Sequence, residues 1–266
     1  RINCHKSKTC QNRSPVIQFH INLRQKTLRF SIKKSTIKEG KKKLFCPFYV
    51  FLRNGPYGGK MKIYIVYIVG VLIAYMVGSI STSLIVSKIK NKDLRAGGSK
   101  NLGASNTTLL MGWKYGLIVG VCDILKGTLV VLLAKWIFPE YSYLPFCVAT
   151  AAVLGHIFPF YLKGKGGKGF ATYVGIMLGL DWRFFIIMGI GIILITLITD
   201  YIALATFTTV TTFPVWLFFM CPIKWAFLIP VIASLIIIVK HFENIKRMIK
   251  KEELGLRASF KKKKAS

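Results

Sequence analysis

Acidic side chains are scarce in this sequence: nine Asp and Glu stand against 39 Lys and Arg in 266 residues, a formal net charge of +30. The aspartates Asp93, Asp123, Asp181 and Asp200 are dispersed, which argues against the clustered carboxylates of divalent-metal phosphotransfer. The cysteines Cys4, Cys10, Cys46, Cys122, Cys147 and Cys221 form no C-x-x-C spacing, so neither a zinc site nor a redox pair is indicated. A Walker A loop is missing too: the glycine-rich stretch ends Lys168-Gly169-Phe170, with no Ser or Thr after a Gly-Lys pair, which argues against ATP hydrolysis.

Apolar residues are abundant instead. They make up 53% of the chain, with a mean hydropathy of +0.50, above the share typical of a soluble domain, so the excess faces lipid. They are bunched into runs: Ile63 to Ile89, Tyr115 to Phe138, Tyr143 to Leu162, Phe184 to Ile198, Tyr201 to Phe219 and Trp225 to Val239. Several approach the ~20 residues that cross a ~30 Å hydrocarbon core, and shorter ones span where the bilayer thins. Phe170 to Leu180 is shorter and closed by Asp181-Trp182-Arg183. It reads as a short seventh helix, with a re-entrant piece as the alternative. The expected fold is therefore an all-α integral membrane bundle of about seven transmembrane helices, some short.

Residues 1–60 differ sharply, with fifteen Lys or Arg, one acid (Glu39) and no spanning run. The expectation is a segment foreign to the fold: bacterial upstream sequence translated as protein, or a disordered basic arm, with the membrane-embedded domain over residues 61–266. Gly58-Gly59-Lys60-Met61 back-translates to codons that accommodate a purine-rich ribosome-binding site before a start codon.

Positive charge sets the expected orientation. Lys88, Lys90, Lys92, Arg95, Lys100 and Lys114 flank one connection, Lys163, Lys165 and Lys168 another, and the chain beyond Lys240 is again basic. The positive-inside rule puts all three in the cytoplasm, which requires seven helices, with Met61 outside and Ser266 inside. The same rule accounts for the net charge by loops and lipid headgroups, so no nucleic-acid partner is expected.

Three segments on that side carry polar chemistry. The first runs from Gly78-Ser79-Ile80-Ser81 through Asp93-Leu94-Arg95 to Gly97-Gly98-Ser99-Lys100-Asn101-Leu102-Gly103-Ala104-Ser105-Asn106. Glycines there permit close backbone approach, and Ser, Asn, Arg and amide N–H groups are the usual cradle of a phosphate, though a plain polar loop has the same composition. The second is Gly155-His156 followed by Lys163 to Thr172, three lysines in a glycine frame before an apolar helix whose N-terminal dipole favours anions. The third is His241-Phe242-Glu243-Asn244-Ile245-Lys246-Arg247 with Glu252-Glu253, where His241 and Asn244 share a helix face. Asp123 and Lys126, three apart within an apolar run, suit a structural intramembrane pair as well as a functional one.

These segments resemble the bacterial acyl-phosphate:glycerol-3-phosphate acyltransferase family, PlsY, along residues 61–266. Its G-S-I-P and D-x-R-x-x-G-S-G-N-x-G-A-T-N patterns are matched by Gly78, Ser79, Ile80, Asp93, Arg95, Gly98, Ser99, Asn101, Gly103, Ala104 and Asn106. Ser81, Lys100 and Ser105 depart from Pro, Gly and Thr. Its D-x-x-K-G is kept as Asp123, Lys126 and Gly127, and its K-G-G-K-G-x-A-T as Lys165 to Gly169, Ala171 and Thr172. Its H-x-x-N-I-x-R and following Glu are kept as His241, Asn244, Ile245, Arg247 and Glu253, with Lys251-Glu252 in place of Gly-Thr. A hydroxyl-rich stretch is Tyr201 to Thr206, with Ala203 where Ser is usual and Thr206 the remaining hydroxyl.

The resemblance implies transfer of an acyl group from acyl phosphate to the sn-1 hydroxyl of glycerol 3-phosphate, giving lysophosphatidate and phosphate, the first acylation of phospholipid synthesis. It implies no cofactor, no metal and no acyl-CoA. Catalytic roles fall to Ser79, Arg95, Lys168, His241 and Asn244, and substrate binding to Ser99, Asn101, Asn106, Lys165, Gly166, Gly167, Thr206 and Glu253. The expected partners are the two substrates and the bilayer, the expected state a monomer, and the expected place a bacterial cell membrane, with the site facing the cytoplasm. The proton acceptor is either His241 or a substrate phosphate. One rival enzyme class, the soluble-type glycerolipid acyltransferases, needs Asp five residues after His, which none of His5, His20, His156 and His241 has. A transporter of an anionic organophosphate is the rival outside enzymes.

Overall fold

Long apolar runs dictate helices here, because in lipid only an internally hydrogen-bonded backbone is tolerated. The structure, a computed structural model, describes residues 59–253 and 255. The expectations for residues 1–58 and for the tail beyond 255 lie outside the described residues. Among those described, the regular elements are all helical: α1 (Gly59–Ser79), α2 (Thr82–Ile89), α3 (Ala104–Met111), α4 (Trp113–Ile137), α5 (Leu144–Ile157), a 3₁₀ turn (Phe160–Leu162), α6 (Phe170–Leu180), α7 (Trp182–Thr199), α8 (Ile202–Met220) and α9 (Leu228–Ile249). Among the described residues six stretches are long and apolar enough to span, and α6 is a shorter apolar helix beside them, which matches the apolar runs of the sequence.

Large apolar side chains cover the outer faces. Ile68, Leu72, Leu129, Ile190, Ile193, Leu197 and Phe219 are all exposed, a surface that water would not tolerate and hydrocarbon would. Between the helices lies a packed core that includes Val131, Ala149, Ala152, Tyr173, Ile176, Met177, Phe213 and Ile237. Glycine brings backbones together twice. A Cβ on Gly78 would fall 2.1 Å from Ala152 O, and one on Gly155 2.1 Å from Tyr75 O, which locks α1 to α5. Gly127 and Gly175 do the same between α4 and α6, against Thr172 O at 2.5 Å and Ile124 O at 2.0 Å.

These contacts fix the depth of the elements. The end of α1, the end of α5 and the start of α6 all lie level with residues 123–127 of α4. Beyond them, at one end of the bundle, project α2, α3, the first turns of α4 and the last turns of α9; this is the basic end. At the opposite end Trp136, Trp182 and Trp225 are exposed, as interfacial tryptophans are. There Lys135 Nζ donates to Gly179 O (2.7 Å) and Leu180 O (2.9 Å), satisfying the last carbonyls of α6. Asp181 starts α7 by accepting from Arg183 N at 2.9 Å, and it also accepts from Trp216 Nε1 at 3.1 Å. Burial pushes its carboxyl up, but the hydrogen bonds it accepts from Arg183, Trp216 and Phe184 N together outweigh this and hold it down at about 2. The 11 residues of α6 rise only about 16 Å, and the loop before it sits level with the ends of α1 and α5, through Gly166 N to Ile157 O and Gly167 N to His156 O.

Two boundaries differ from the sequence reading. The first run is broken at Ile80-Ser81, where Tyr161 Oη donates to Ser79 O (2.7 Å) and accepts from Ser81 N (3.1 Å), and Lys126 Nζ takes Ile80 O (2.9 Å). Residues Ala104–Met111, part of the expected polar loop and the stretch after it, are helical. The last helix continues past the apolar run to Ile249, so His241 and Asn244 share its face as expected.

Candidate active site

A cavity of about 560 Å³ opens at the basic end, where residues from all three polar segments meet. Its polar wall includes Ser99, Asn101, Asn106, Lys168, His241 and Asn244. Its deeper wall is apolar, built from Leu109, Ile124, Val174, Phe185, Ile192 and Ile202. One space therefore joins a charged mouth to an oily channel between helices.

Two helix N-termini face the cavity. The first turns of α3 (Ala104, Ser105, Asn106) and α6 (Phe170, Ala171) line it, and neither helix has a side-chain N-cap. Their free backbone N–H groups and positive dipole ends make an anion site. Asn106 is buried and shapes the loop before α3: its Oδ1 accepts from Ser99 N at 2.9 Å and its Nδ2 donates to Leu94 O at 2.8 Å. Gly98 is required there, since its φ is +60° and a Cβ would lie 2.2 Å from Asn106 Oδ1. Lys100 also has a left-handed φ of +55°, at a position where the family pattern carries glycine.

Lys168 sits between this loop and α9. Its ammonium donates to Asn244 Oδ1; Asn244 Nδ2 in turn donates to Glu253 Oε1 at 2.6 Å, and Arg247 Nε donates to Glu253 Oε2 at 2.7 Å. This chain fixes the amide so that its oxygen faces the lysine. Burial first, and then the like charge of Arg247, pull Lys168 down to about 8, while Glu253 and Glu243 pull it upward. His241 Nδ1 donates to Ile237 O at 2.9 Å, so in the neutral ring the lone pair lies on Nε2.

The expected site residues divide into two groups. Ser99, Asn101, Asn106, Lys168, Thr206, His241, Asn244 and Glu253 are brought together on the cavity wall. Thr206 is buried and donates to Ile202 O at 3.0 Å, leaving its oxygen able to accept. Ser79, Arg95, Lys165, Gly166 and Gly167 are not on that wall. Ser79 is buried behind it, donating to Tyr75 O at 2.8 Å. Arg95 is exposed and lines a separate groove of about 760 Å³ with Lys88, Asp93 and apolar residues of α1 and α2. Lys165 is exposed. Gly166 and Gly167 frame the loop, donating to Ile157 O and His156 O, both at 3.1 Å. Any Cβ there would collide, at 2.2 Å from His156 O for Gly166 and 2.1 Å from His156 Nε2 for Gly167.

The expected site residues did not include Arg247, His156 or Asp123, which the cavity does, although the family patterns held Arg247 and Asp123. The repeated spacing of three from His241 through Asn244 to Arg247 was the available signal for the first. The other two belong to a buried cluster that only the helix packing assembles.

Residues 68–251 match the family model described as glycerol-3-phosphate acyltransferase. The chain is similar to glycerol-3-phosphate acyltransferase 1 of Oceanobacillus iheyensis, 39% identical over 206 residues, covering 74% of this chain and 98% of that one. It is similar to the Bartonella henselae glycerol-3-phosphate acyltransferase, 40% identical over 189 residues, covering 69% and 90%. Among solved structures it resembles the integral membrane glycerol 3-phosphate acyltransferase PlsY in its glycerol 3-phosphate form, with a TM-score of 0.68 and 32% identity over 71% of this chain and 95% of that one. The lysophosphatidic acid form of PlsY gives a TM-score of 0.66 at 31% identity.

Proposed function

The chain belongs to the glycerol-3-phosphate acyltransferase family, and from that premise we propose that its acyl donor is an acyl phosphate and its acceptor the sn-1 hydroxyl of glycerol 3-phosphate. The observation that carries this reading is the convergence of Lys168 and two uncapped helix N-termini on one cavity with an apolar extension. Both substrates carry phosphate, and only the donor carries a long chain. The charged mouth offsets repulsion between the two anions, and the oily wall takes the chain.

The glycerol hydroxyl oxygen attacks the acyl carbonyl carbon, the carbon–oxygen bond to phosphate breaks, and inorganic phosphate leaves with the bonding pair. Phosphate is a good leaving group, so no covalent enzyme intermediate is needed. The hydroxyl proton goes to His241 Nε2, whose lone pair is fixed by the bond from Nδ1 to Ile237 O. Lys168, held by Asn244, stabilises the charge that develops on the leaving phosphate. Positioning and fixed charge then supply most of the barrier reduction.

In this reading the basic end faces the cytoplasm of a bacterial cell, the side to which the positive-inside rule assigns its lysines and arginines. In this reading the enzyme works as a monomer.

Purified full-length chain supplied with glycerol 3-phosphate and either acyl phosphate or acyl-CoA tests the donor. Ester at the sn-1 position from acyl phosphate alone is the expected result; equal rates from acyl-CoA would overturn the donor assignment. A His241→Gln variant should lose at least about a hundredfold in turnover, and near-normal turnover would move the proton to a substrate phosphate.

A further inference from the structure

Lys126 lies in the interior of α4 with three acceptors around its ammonium: Asp123 Oδ1 at 2.8 Å, Ile80 O at 2.9 Å and His156 Nδ1 at 2.8 Å. An ammonium has three N–H groups and no acceptor, so this shell uses all of them. Asp123 Oδ1 also receives Thr82 Oγ1 at 3.2 Å. All three of Asp123, Lys126 and His156 are buried. Such a cluster is costly in a membrane interior and is retained where it serves a cavity, and both Asp123 and His156 do line the site cavity.

The consequence falls on His156. Because Lys126 donates to Nδ1, the proton of the imidazole resides on Nε2. Among the described residues Nε2 has no hydrogen-bond partner, and it is not one of the fully enclosed polar atoms left unpaired. It stands beside Gly167, where a Cβ would come within 2.1 Å of it, immediately before Lys168. His156 and His241 are thus opposite tautomers on one cavity, the first offering an N–H and the second a lone pair.

We propose that His156 binds substrate, donating its Nε2–H to a phosphate oxygen next to Lys168, and that Lys126 and Asp123 are positioning residues that set its tautomer. The bond is charge-assisted, since the acceptor is an anion. A lysine supplies charge from a flexible stem; the imidazole, held at its other nitrogen, supplies direction. The break between α1 and α2 has a function in this arrangement, because it frees the Ile80 carbonyl that completes the lysine's shell. The inference rests on the proposed reaction for the identity of the phosphate, which belongs either to glycerol 3-phosphate or to the acyl donor.

The test is His156→Asn in the full-length chain, with His156→Gln beside it. Asparagine keeps an acceptor near the position of Nδ1 for Lys126 but has no N–H that reaches as far as Nε2; glutamine restores one. The expected result is a rise of about tenfold or more in KM for one substrate, with the other within about twofold, an unchanged melting temperature and recovery in the glutamine variant. The substrate whose KM moves is the one whose phosphate takes the N–H. Unchanged KM values, or parallel loss for both substrates with a lower melting temperature, would overturn the proposal while leaving the wild-type reaction standing. Should the asparagine variant not fold, the unsubstituted chain decides by ¹⁵N-histidine resonance, with signals assigned by substituting His5, His20 and His241 in turn. An Nε2–H signal for His156 that shifts with glycerol 3-phosphate or inorganic phosphate supports the proposal; an Nδ1–H tautomer, or no shift with either, overturns it.

Discussion

Raising the pH from 7 to 9 should discharge Lys168. With its ammonium held at about 8 by burial and by Arg247, the side chain is about nine-tenths charged at pH 7 and about one-tenth charged at pH 9. Its lysine value is lowered on folding, so the charge is present below that point and lost above it. If the protonated lysine clamps phosphate, kcat/KM for glycerol 3-phosphate falls by about tenfold over that interval, because this parameter follows the free enzyme. The substrate phosphates are already ionised over this range, so their titration adds no falling limb. A guanidinium does not titrate below pH 12; Lys168→Arg should therefore abolish the limb, whatever its absolute rate. Lys168→Ala removes a bond of about 1.5 to 3 kcal/mol to a charged group, which is about ten- to a hundredfold in kcat/KM. The assay is initial phosphate release from pH 6.5 to 10 in detergent. A flat profile in the wild type, or a limb near pH 8 that survives in Lys168→Arg, would refute the argument.

Glu253→Gln removes a carboxylate that pulls Lys168 upward, so the alkaline limb should move to lower pH; a limb that stays in place would mean that Glu253 does not act on the lysine. Gly167→Ala should abolish acyl transfer and lower stability by about 1 to 3 kcal/mol, since its Cβ has no room beside His156 Nε2 and Leu102 O; a normal melting curve would show that the loop gives way. Lys100→Gly should raise stability by about 1 kcal/mol, because a left-handed φ of +55° costs a lysine what it does not cost a glycine; thermal unfolding reads this directly.

The apolar helices were legible because apolar runs in lipid have one structural outcome, and the positive charges marked which ends belong together. The short α6 could be read from Phe170 to Leu180 and the Asp181 that follows it. The break at Ile80-Ser81 was only hinted at by Gly78, Ser79 and Ser81; it depends on Lys126 and Tyr161, which arrive from α4 and the 3₁₀ turn. The helix over Ala104–Met111 was hidden by its Ser, Asn and Thr residues, which have weak helix propensity; packing on α4 settles it, with Gly116 too close to Thr108 Oγ1 and Ala104 O to carry a side chain.

In the site, Lys168, His241 and Asn244 were legible as polar residues of one basic end, and the fold brings them to one wall. Arg95 shows the limit of that reasoning. Its charge reads as a phosphate ligand, yet the backbone of its loop, pinned by Asp93 and Asn106, directs it toward the other groove. Asn106 was legible as polar but not as the clamp of that loop, because its partners are backbone carbonyls and an amide that no motif displays.

Phosphate release and ester formation, measured in one reaction of the purified chain with acyl phosphate and glycerol 3-phosphate, test the central claim most directly. The account predicts one phosphate per sn-1 ester, with neither product formed when either substrate is left out. Phosphate released without ester, or labelled glycerol 3-phosphate carried across a vesicle membrane with no ester formed, would contradict it.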